Sequence, residues 1–362
     1  MAFCALLSIT FALLSVLPDS TSAIPLECPS VANVSTIYQF PYPTFVENLA
    51  VRSNGHILAT IIGAAQVWDV NPITCTASLA YEFPDTNAVV GISEVGHDIF
   101  AVATGNFSLS TVSSEPGSWS VWTLDLSSCG STKGYWPDAE APRCNTTVSQ
   151  THVFSLPEAT FLNGLTTLSD YPPTILVGDS SLGLIYILDM STGEYSVFLE
   201  DATLKPPATA PPPLGVNGIR YHAPYLYFTN SLQAPLLARV PIKKRKNRTF
   251  SPGPVEIIVE SSPFPVNLGI QSDDFAISPD GKKAYIMGNP SNYVLEVDIA
   301  TRDVKQVLGG GNSSVVAGAT AAQFGRGKAS DVLYIVTTGG LLYPPEGGAV
   351  GGKVLAWNTR RL

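Results

Sequence analysis

Six short stretches recur along the chain, each pairing a polar or small residue with a small or apolar pair, followed by a turn and a β-rich run. They begin at Glu47 (Glu-Asn-Leu-Ala-Val), Val90 (Val-Gly-Ile), Asn163 (Asn-Gly-Leu), Asn217 (Asn-Gly-Ile), Asp273 (Asp-Asp-Phe-Ala-Ile) and Ala317 (Ala-Gly-Ala). Their spacing, roughly 40 to 75 residues, is the repeat scale of propeller blades. If each stretch opens the innermost strand of a blade, the strand starts converge on a central channel. Glu47, Asn163, Asn217 and Asp273 then present their oxygen atoms to one axial point. The expected fold is all-β, a six-bladed β-propeller.

Composition agrees. Charged residues are 14% of the 362 and hydrophobic ones 45%, with 30 Gly and 29 Pro, a mix that suits many short strands joined by tight turns rather than long amphipathic helices. Propellers run larger than average domains, so residues 24–362 read as one domain. A formal net charge of −9 argues against a nucleic-acid partner, because phosphate binding needs a basic face. The basic run Lys243–Arg248 reads as a solvated turn between outer strands, with a processing or polyanion site as the alternative.

The apolar stretch Phe3–Leu17 is too short to span a bilayer, and Pro18-Asp19 breaks it before the small-residue pattern Thr21-Ser22-Ala23. Residues 1–23 therefore read as a signal peptide cleaved after Ala23. No later run is long enough for a membrane span. Five acceptor sequons, at Asn33, Asn106, Asn145, Asn247 and Asn312, fit glycosylation on a secretory route. Cleavage removes Cys4 and leaves Cys28, Cys75, Cys129 and Cys144, an even set suited to two disulfides. Three connectivities exist. Cys129–Cys144 is the local pair, closing a loop of about 15 residues and contributing about 3 kcal/mol in the chain-entropy model; Cys28–Cys75 then ties the N-terminal arm to the first blade. No Cys-x-x-Cys spacing suggests a metal-bound set. The expected location is outside the cell or in the secretory lumen.

Strand and turn signals place the first blade over Glu47–Pro84, the second over Ala88–Leu156 with a large insertion between Leu126 and Thr147, and the third over Phe161–Phe198. The fourth spans Gly215–Val259 and the fifth Asp273–Val307 with a hairpin turn at Ser278-Pro-Asp-Gly281. The sixth runs from Val316 to Lys353–Asn358 and lacks an outer strand, which Thr36–Phe40 would supply, closing the ring so that no edge is left to aggregate. The proline-rich Lys205–Pro213 reads as a stiff inter-blade loop, with a lid over the channel mouth as the alternative.

No Gly-x-Ser-x-Gly elbow, His-Glu-x-x-His motif or dinucleotide fingerprint occurs, and the four histidines are scattered through the blade plan. What remains is the axial set of two carboxylates and two carboxamides. Such hard oxygen ligands suit calcium, magnesium or manganese. The alternative is that they only cap inner-strand backbone groups.

The order Glu47, Asn163, Asn217, Asp273 on the first, third, fourth and fifth blades resembles the six-bladed propellers of the senescence marker protein, gluconolactonase and luciferin-regenerating enzyme family, over nearly the whole mature chain. The resemblance implies that these four residues bind a divalent metal and that Asp273 is the general base of lactone hydrolysis. Sugar-lactone hydrolases of that family carry an arginine two residues before the third-blade asparagine. Phe161 stands there in this chain, which favours an apolar substrate. The segments Glu47–Arg52 and Val216–Ile219 are similar to a fungal secreted branch of the fold that includes hetero-Diels–Alderases of tropolone sesquiterpenoid biosynthesis.

That similarity implies a pericyclase joining a tropolone o-quinone methide to a humulene-type polyene. Asn163, Asn217 and Gln323 would be hydrogen-bond donors to the tropolone oxygens, and Asp273 or Glu47 would assist loss of water. The cycloaddition itself requires no cofactor, leaving calcium or magnesium a structural role. A metal-dependent lactone hydrolase using the same four residues and a non-catalytic binding propeller are the alternatives.

Overall fold

A strand covered on both faces reads as a continuous apolar run, whereas one facing water on one side alternates. Inner strands of the first kind recur through the computed structural model, which describes residues 30–360 apart from 32, 128–148, 210–211 and 246–248. Phe45–Val51 and Ile57–Ile62 are buried throughout; Gln66–Asn71 buries Val67 and Val70 among half-buried neighbours, and Thr76–Glu82 is largely exposed. The repeat is an antiparallel meander whose innermost strand is sandwiched and whose outermost strand is wet. The arrangement is all-β and propeller-like. Among the described residues the helical elements are two short 3₁₀ turns, Ala202–Leu204 and Gly327–Ala329, and no helix is long and apolar enough to cross a membrane.

Two units are plain four-stranded meanders, Leu162–Glu200 and Phe275–Gly309. The unit beginning at Val216–His222 has a third strand, Leu237–Lys244, that pairs with two short outer pieces, Phe250–Pro252 and Glu256–Val259. The first two expected blades are merged: a single pair, Ile62 with Ala88, joins their meanders into one eight-stranded sheet. In the last sheet Val34–Gln39 lies antiparallel to Lys353–Asn358, with Val34 opposite Trp357, so the N-terminal segment supplies the outer strand that the C-terminal unit lacks.

The core is divided into clusters, each between neighbouring units. Leu168, Leu176 and Ile185 pack on Ile219, Phe228 and Val240. Tyr227 and Leu237 pack on Phe275, Ile286 and Leu295. Ile37, Val46 and Ile57 from the start of the chain pack on Ala321, Val336 and Val354 from its end. Each fully buried aliphatic side chain contributes about 1.5–3 kcal/mol, so these interfaces hold neighbouring units in register.

The leader, Cys28, Cys129, Cys144, Asn145 and Asn247 lie outside the described residues. Asn33 and Asn312 are exposed; Asn106 is half-buried, its Nδ2 donating to Glu115 at 2.9 Å.

Candidate active site

At each recurring stretch but the fifth, the inner strand breaks register. Pairing skips between Val46 and Leu49, Val89 and Ile92, Leu162 and Leu165, Val216 and Ile219, and Ala319 and Ala321. Such a bulge bends the strand and re-aims the side chains within it. In the fifth unit Asp273 and Asp274 instead precede a short strand, Phe275–Ile277. The motif glycines follow from close approach: a Cβ on Gly164 would stand 2.4 Å from the Asn217 carbonyl oxygen, and one on Gly218 would stand 2.1 Å from Oδ1 of Asp274. Only glycine permits that contact.

Glu47, Asn163, Asn217 and Asp273 line one cavity of about 380 Å³, and none is more than 7% exposed. Asp273 is held firmly. Its N–H donates to the Met287 carbonyl at 2.8 Å, its own carbonyl accepts from Thr229 Oγ1 at 2.9 Å, and Asn289 Nδ2 donates to its Oδ2 at 3.0 Å. Asn217 Nδ2 donates to Ser231 Oγ at 3.0 Å. These contacts leave the carboxamide oxygens of Asn163, Asn217 and Asn289 buried with no partner. A buried unpaired acceptor costs about 1–3 kcal/mol, so three around one cavity call for a ligand that is cationic or donates hydrogen bonds.

The carboxyls are perturbed in the same sense. Burial, with the Asp274 charge adding to it against the Asn289 amide, pushes Asp273 up to about 7. Burial also lifts Glu47 well above the usual carboxylate range, and Asp273 and Asp274 raise it further. Two destabilised carboxylates and partnerless carboxamide oxygens make an all-oxygen donor set that fits a hard divalent cation. Among the described residues no three His, Cys, Asp or Glu side chains gather as a metal site, so the carboxamides are needed to complete one.

One wall of the cavity is aromatic. Phe161 is buried, stacks on Phe107 with centroids 4.9 Å apart and leans on Trp119 at 5.5 Å. Val112 and Leu268 also line the cavity, and both hold a left-handed backbone, φ 50° and 54°. That conformation is uncommon for aliphatic residues and is an outlier for a β-branched one. Pro212 from the proline-rich segment, and Leu214 just after it, reach the lining.

Gln323 is placed elsewhere. It is not among the cavity-lining residues, and its Oε1 accepts the Val51 N–H at 3.0 Å, so its acceptor serves the inner-strand backbone. Several contributors escaped the sequence reading. Asn289 follows the second strand of its unit, as Asp179 and Asn230 close theirs, and that periodic polar position is the signal that could have found it. The two-stranded hairpin Phe107–Ser108 and Ser113–Ser114, which carries Phe107, Leu109 and Val112 to the cavity, has no repeat counterpart among the described residues to reveal it. Arg52, the last residue of the Glu47–Arg52 segment, is buried and ion-paired to Asp69 and Asp98, joining the first two meanders.

No family model matches the chain. A protein of Phoma sp named "Putative hetero-Diels-Alderase" is 25% identical over 344 residues, 86% of this chain and 87% of its own length. One from Sarocladium schorii, named "Putative hetero-Diels-Alderase asR5", is 26% identical over 360 residues, 90% of this chain and 82% of its own. Among solved structures, the major Malassezia sympodialis allergen Mala s 1 superposes with a TM-score of 0.59 at 13% identity, covering 91% of this chain and 96% of that one. A luciferin-regenerating enzyme gives 0.57 at 12%, covering 89% and 94%. These two likenesses concern the fold.

Proposed function

We propose that the chain is a secreted six-bladed propeller enzyme that promotes a hetero-Diels–Alder reaction between a tropolone o-quinone methide and a humulene-type alkene. The ring reading is supported by the inner strands, which pack in chain order from Phe45–Val51 round to Ala319–Phe324, the latter again against Phe45–Val51, and by the pairing of the chain's two ends. The activity is supported by the two relatives' names. The observation that carries it is the cavity's mixed lining, aromatic and aliphatic side chains that include the stacked Phe107 and Phe161 together with the carboxyls and carboxamides.

The reaction uses four π electrons of the heterodiene and two of the alkene; a C–O and a C–C bond form, the tropolone ring is restored and nothing leaves. It needs no nucleophile. Holding the reactants face to face supplies up to about 7–11 kcal/mol through effective molarity, and the rigid wall selects one facial approach. A carboxyl kept neutral by burial, Asp273 or Glu47, donates its O–H to a tropolone oxygen and lowers the acceptor orbital. Asn163 and Asn217, expected as donors, present partnerless oxygens and serve as acceptors instead. For loss of water from a hydroxymethyl tropolone, the neutral carboxyl protonates the departing hydroxyl while the ionised one takes the ring hydroxyl proton. Alternatively, with both carboxyls ionised, Glu47, Asn163, Asn217 and Asp273 would hold a calcium or magnesium ion, which would polarise a substrate oxygen in place of the donated proton.

The partnerless oxygens favour a second reading, a metal-dependent lactone hydrolase with Asp273 as base. One experiment separates the two. Purified protein, with and without chelator, is given a hydroxymethyl tropolone with humulene, and separately aldonolactones. A higher yield and stereochemical purity of one dihydropyran adduct is the expected result. Metal-dependent lactone hydrolysis with an unchanged adduct ratio would overturn it in favour of the hydrolase.

The secretory reading includes cleavage after Ala23, N-glycosylation and the pairs Cys28–Cys75 and Cys129–Cys144; the disulfide-bonded state of Cys75 is common to all three connectivities. Intact-mass analysis should give a product that begins at Ile24, loses mass on deglycosylation and has no free thiol.

A further inference from the structure

Beside the cavity lies a groove of about 420 Å³. The two share Ile62 and Leu109, and of two successive residues Leu341 lines the groove while Leu342 lines the cavity. They are adjoining compartments with a common wall.

Their chemistry is opposite. The groove is formed by Phe40, Pro41, Pro43, Trp68 and neighbouring aliphatic residues, and the polar side-chain groups in its lining are already engaged within the protein. Trp68 Nε1 donates to Gln66 Oε1 at 2.9 Å, Gln66 Nε2 donates to Glu82 at 2.9 Å, and Thr44 Oγ1 donates to the Pro41 carbonyl at 2.6 Å. Phe40 and Trp68 meet edge to face with centroids 5.6 Å apart, which fixes the aromatic side. The cavity, by contrast, holds three buried acceptors awaiting a partner. A ligand that needs hydrogen bonds loses them in the groove and finds them in the cavity; a hydrocarbon loses none in the groove and would leave the cavity's acceptors unpaired.

We propose that the groove is the binding site of the hydrocarbon reactant, an apolar cyclic alkene without hydrogen-bonding groups, while the cavity holds the oxygenated partner. The assignment rests on the bimolecular reading above and gives it a geometry: the reacting atoms of the two ligands meet past the edge of Ile62 and Leu109, where the two compartments border each other. Leu109 belongs to the hairpin that has no counterpart among the described residues of the other repeats, so the second compartment is an addition to the repeat pattern rather than a product of it.

The test measures binding apart from chemistry. Humulene is titrated against the protein by displacement of the neutral fluorophore N-phenyl-1-naphthylamine, and tropolone binding is followed separately by its own absorbance. Ala64 lines the groove on an exposed turn, so Ala64→Trp fills it without disturbing the core; Leu341→Trp is a second plug should the first not fold. Each plug is expected to weaken humulene binding at least tenfold, change tropolone binding less than twofold and lower adduct yield accordingly. Plugs that leave humulene affinity unchanged, or tropolone that competes with humulene for one site, would overturn the proposal. The two readings fail separately. Humulene binding lost on plugging, in a protein that makes no adduct, upholds the groove and removes the cycloaddition; adduct formation indifferent to the plugs does the reverse.

Discussion

Asn48 Nδ2 donates to Asp274 Oδ2 at 2.9 Å, joining two residues that are 226 positions apart. The same carboxylate oxygen accepts from Arg220 Nη2, and Oδ1 accepts the Phe275 N–H at 2.7 Å. Asp274 therefore ties the first and fourth inner strands to the start of the fifth, while Asp273 beside it lines the cavity. Asp274→Asn should destabilise the protein by about 3–5 kcal/mol, because it leaves the Arg220 charge without its buried partner. It should also lower the pKa of Asp273 and Glu47, both of which the Asp274 charge raises. Urea denaturation with a pH–activity profile checks both; a loss below about 1 kcal/mol would make the tie incidental.

Asp273 sets a pH dependence of stability. Its folded pKa, about 7, lies above its ordinary value of 3.8, so the folded state holds the proton more tightly than the unfolded one. The stabilisation is complete below the unfolded value and is lost as pH rises through the folded one. In chelator, the melting temperature should fall between about pH 4 and pH 7. Asp273→Asn should flatten that limb, and a slope unchanged by this substitution would contradict the assignment.

A divalent cation should reverse the effect. Calcium or magnesium at 100 times its dissociation constant would add about 2.7 kcal/mol. Asn163→Leu should abolish that gain and yet be neutral or stabilising in chelator, since it removes an acceptor that lacks a partner. Identical melting curves with cation and with chelator would mean that the four oxygens bind none.

Phe161→Arg should lower adduct yield and selectivity together, by placing an unpaired charge against Phe107 and Trp119 at a cost of several kcal/mol. Phe161→Leu, which keeps the wall apolar, should retain most of the yield. Equal losses in the two variants, by product chromatography, would show that packing rather than polarity matters there.

Leu268 is 65% exposed at φ 54° and lines the cavity, so little packing offsets its backbone strain. Leu268→Gly should stabilise the fold by about 1 kcal/mol while reducing stereochemical purity. Calorimetry and chiral product analysis check the two halves; a variant equally selective would remove Leu268 from the specificity wall.

The repeating parts were legible in the sequence because their causes are local. Strand length, turn chemistry at Ser53-Asn54-Gly55 and Ser278–Gly281, and the motif glycines follow from steric and hydrogen-bonding rules acting over a few residues, and repetition places Glu47, Asn163, Asn217 and Asp273 in equivalent positions whatever the blade. Departures from the repeat were not legible. Gln323 occupies a strand with the right period, but only the packed structure shows its oxygen taken by Val51. Asp274 reads as the second half of a doublet, and nothing nearby in the chain announces Asn48 or Arg220 as its partners.

The amino-acid sequence by itself determined the all-β class, the repeat and which oxygen-bearing residues recur, since each depends on neighbours along the chain. Tertiary structure alone decided which of those oxygens are left without donors, how far burial raises Asp273 and Glu47, and that a hairpin between repeats walls off an apolar groove. Those properties arise from desolvation and from contacts between residues far apart in the chain, such as Asn48 and Asp274 at 226 positions, and such contacts exist only once the sheets have packed.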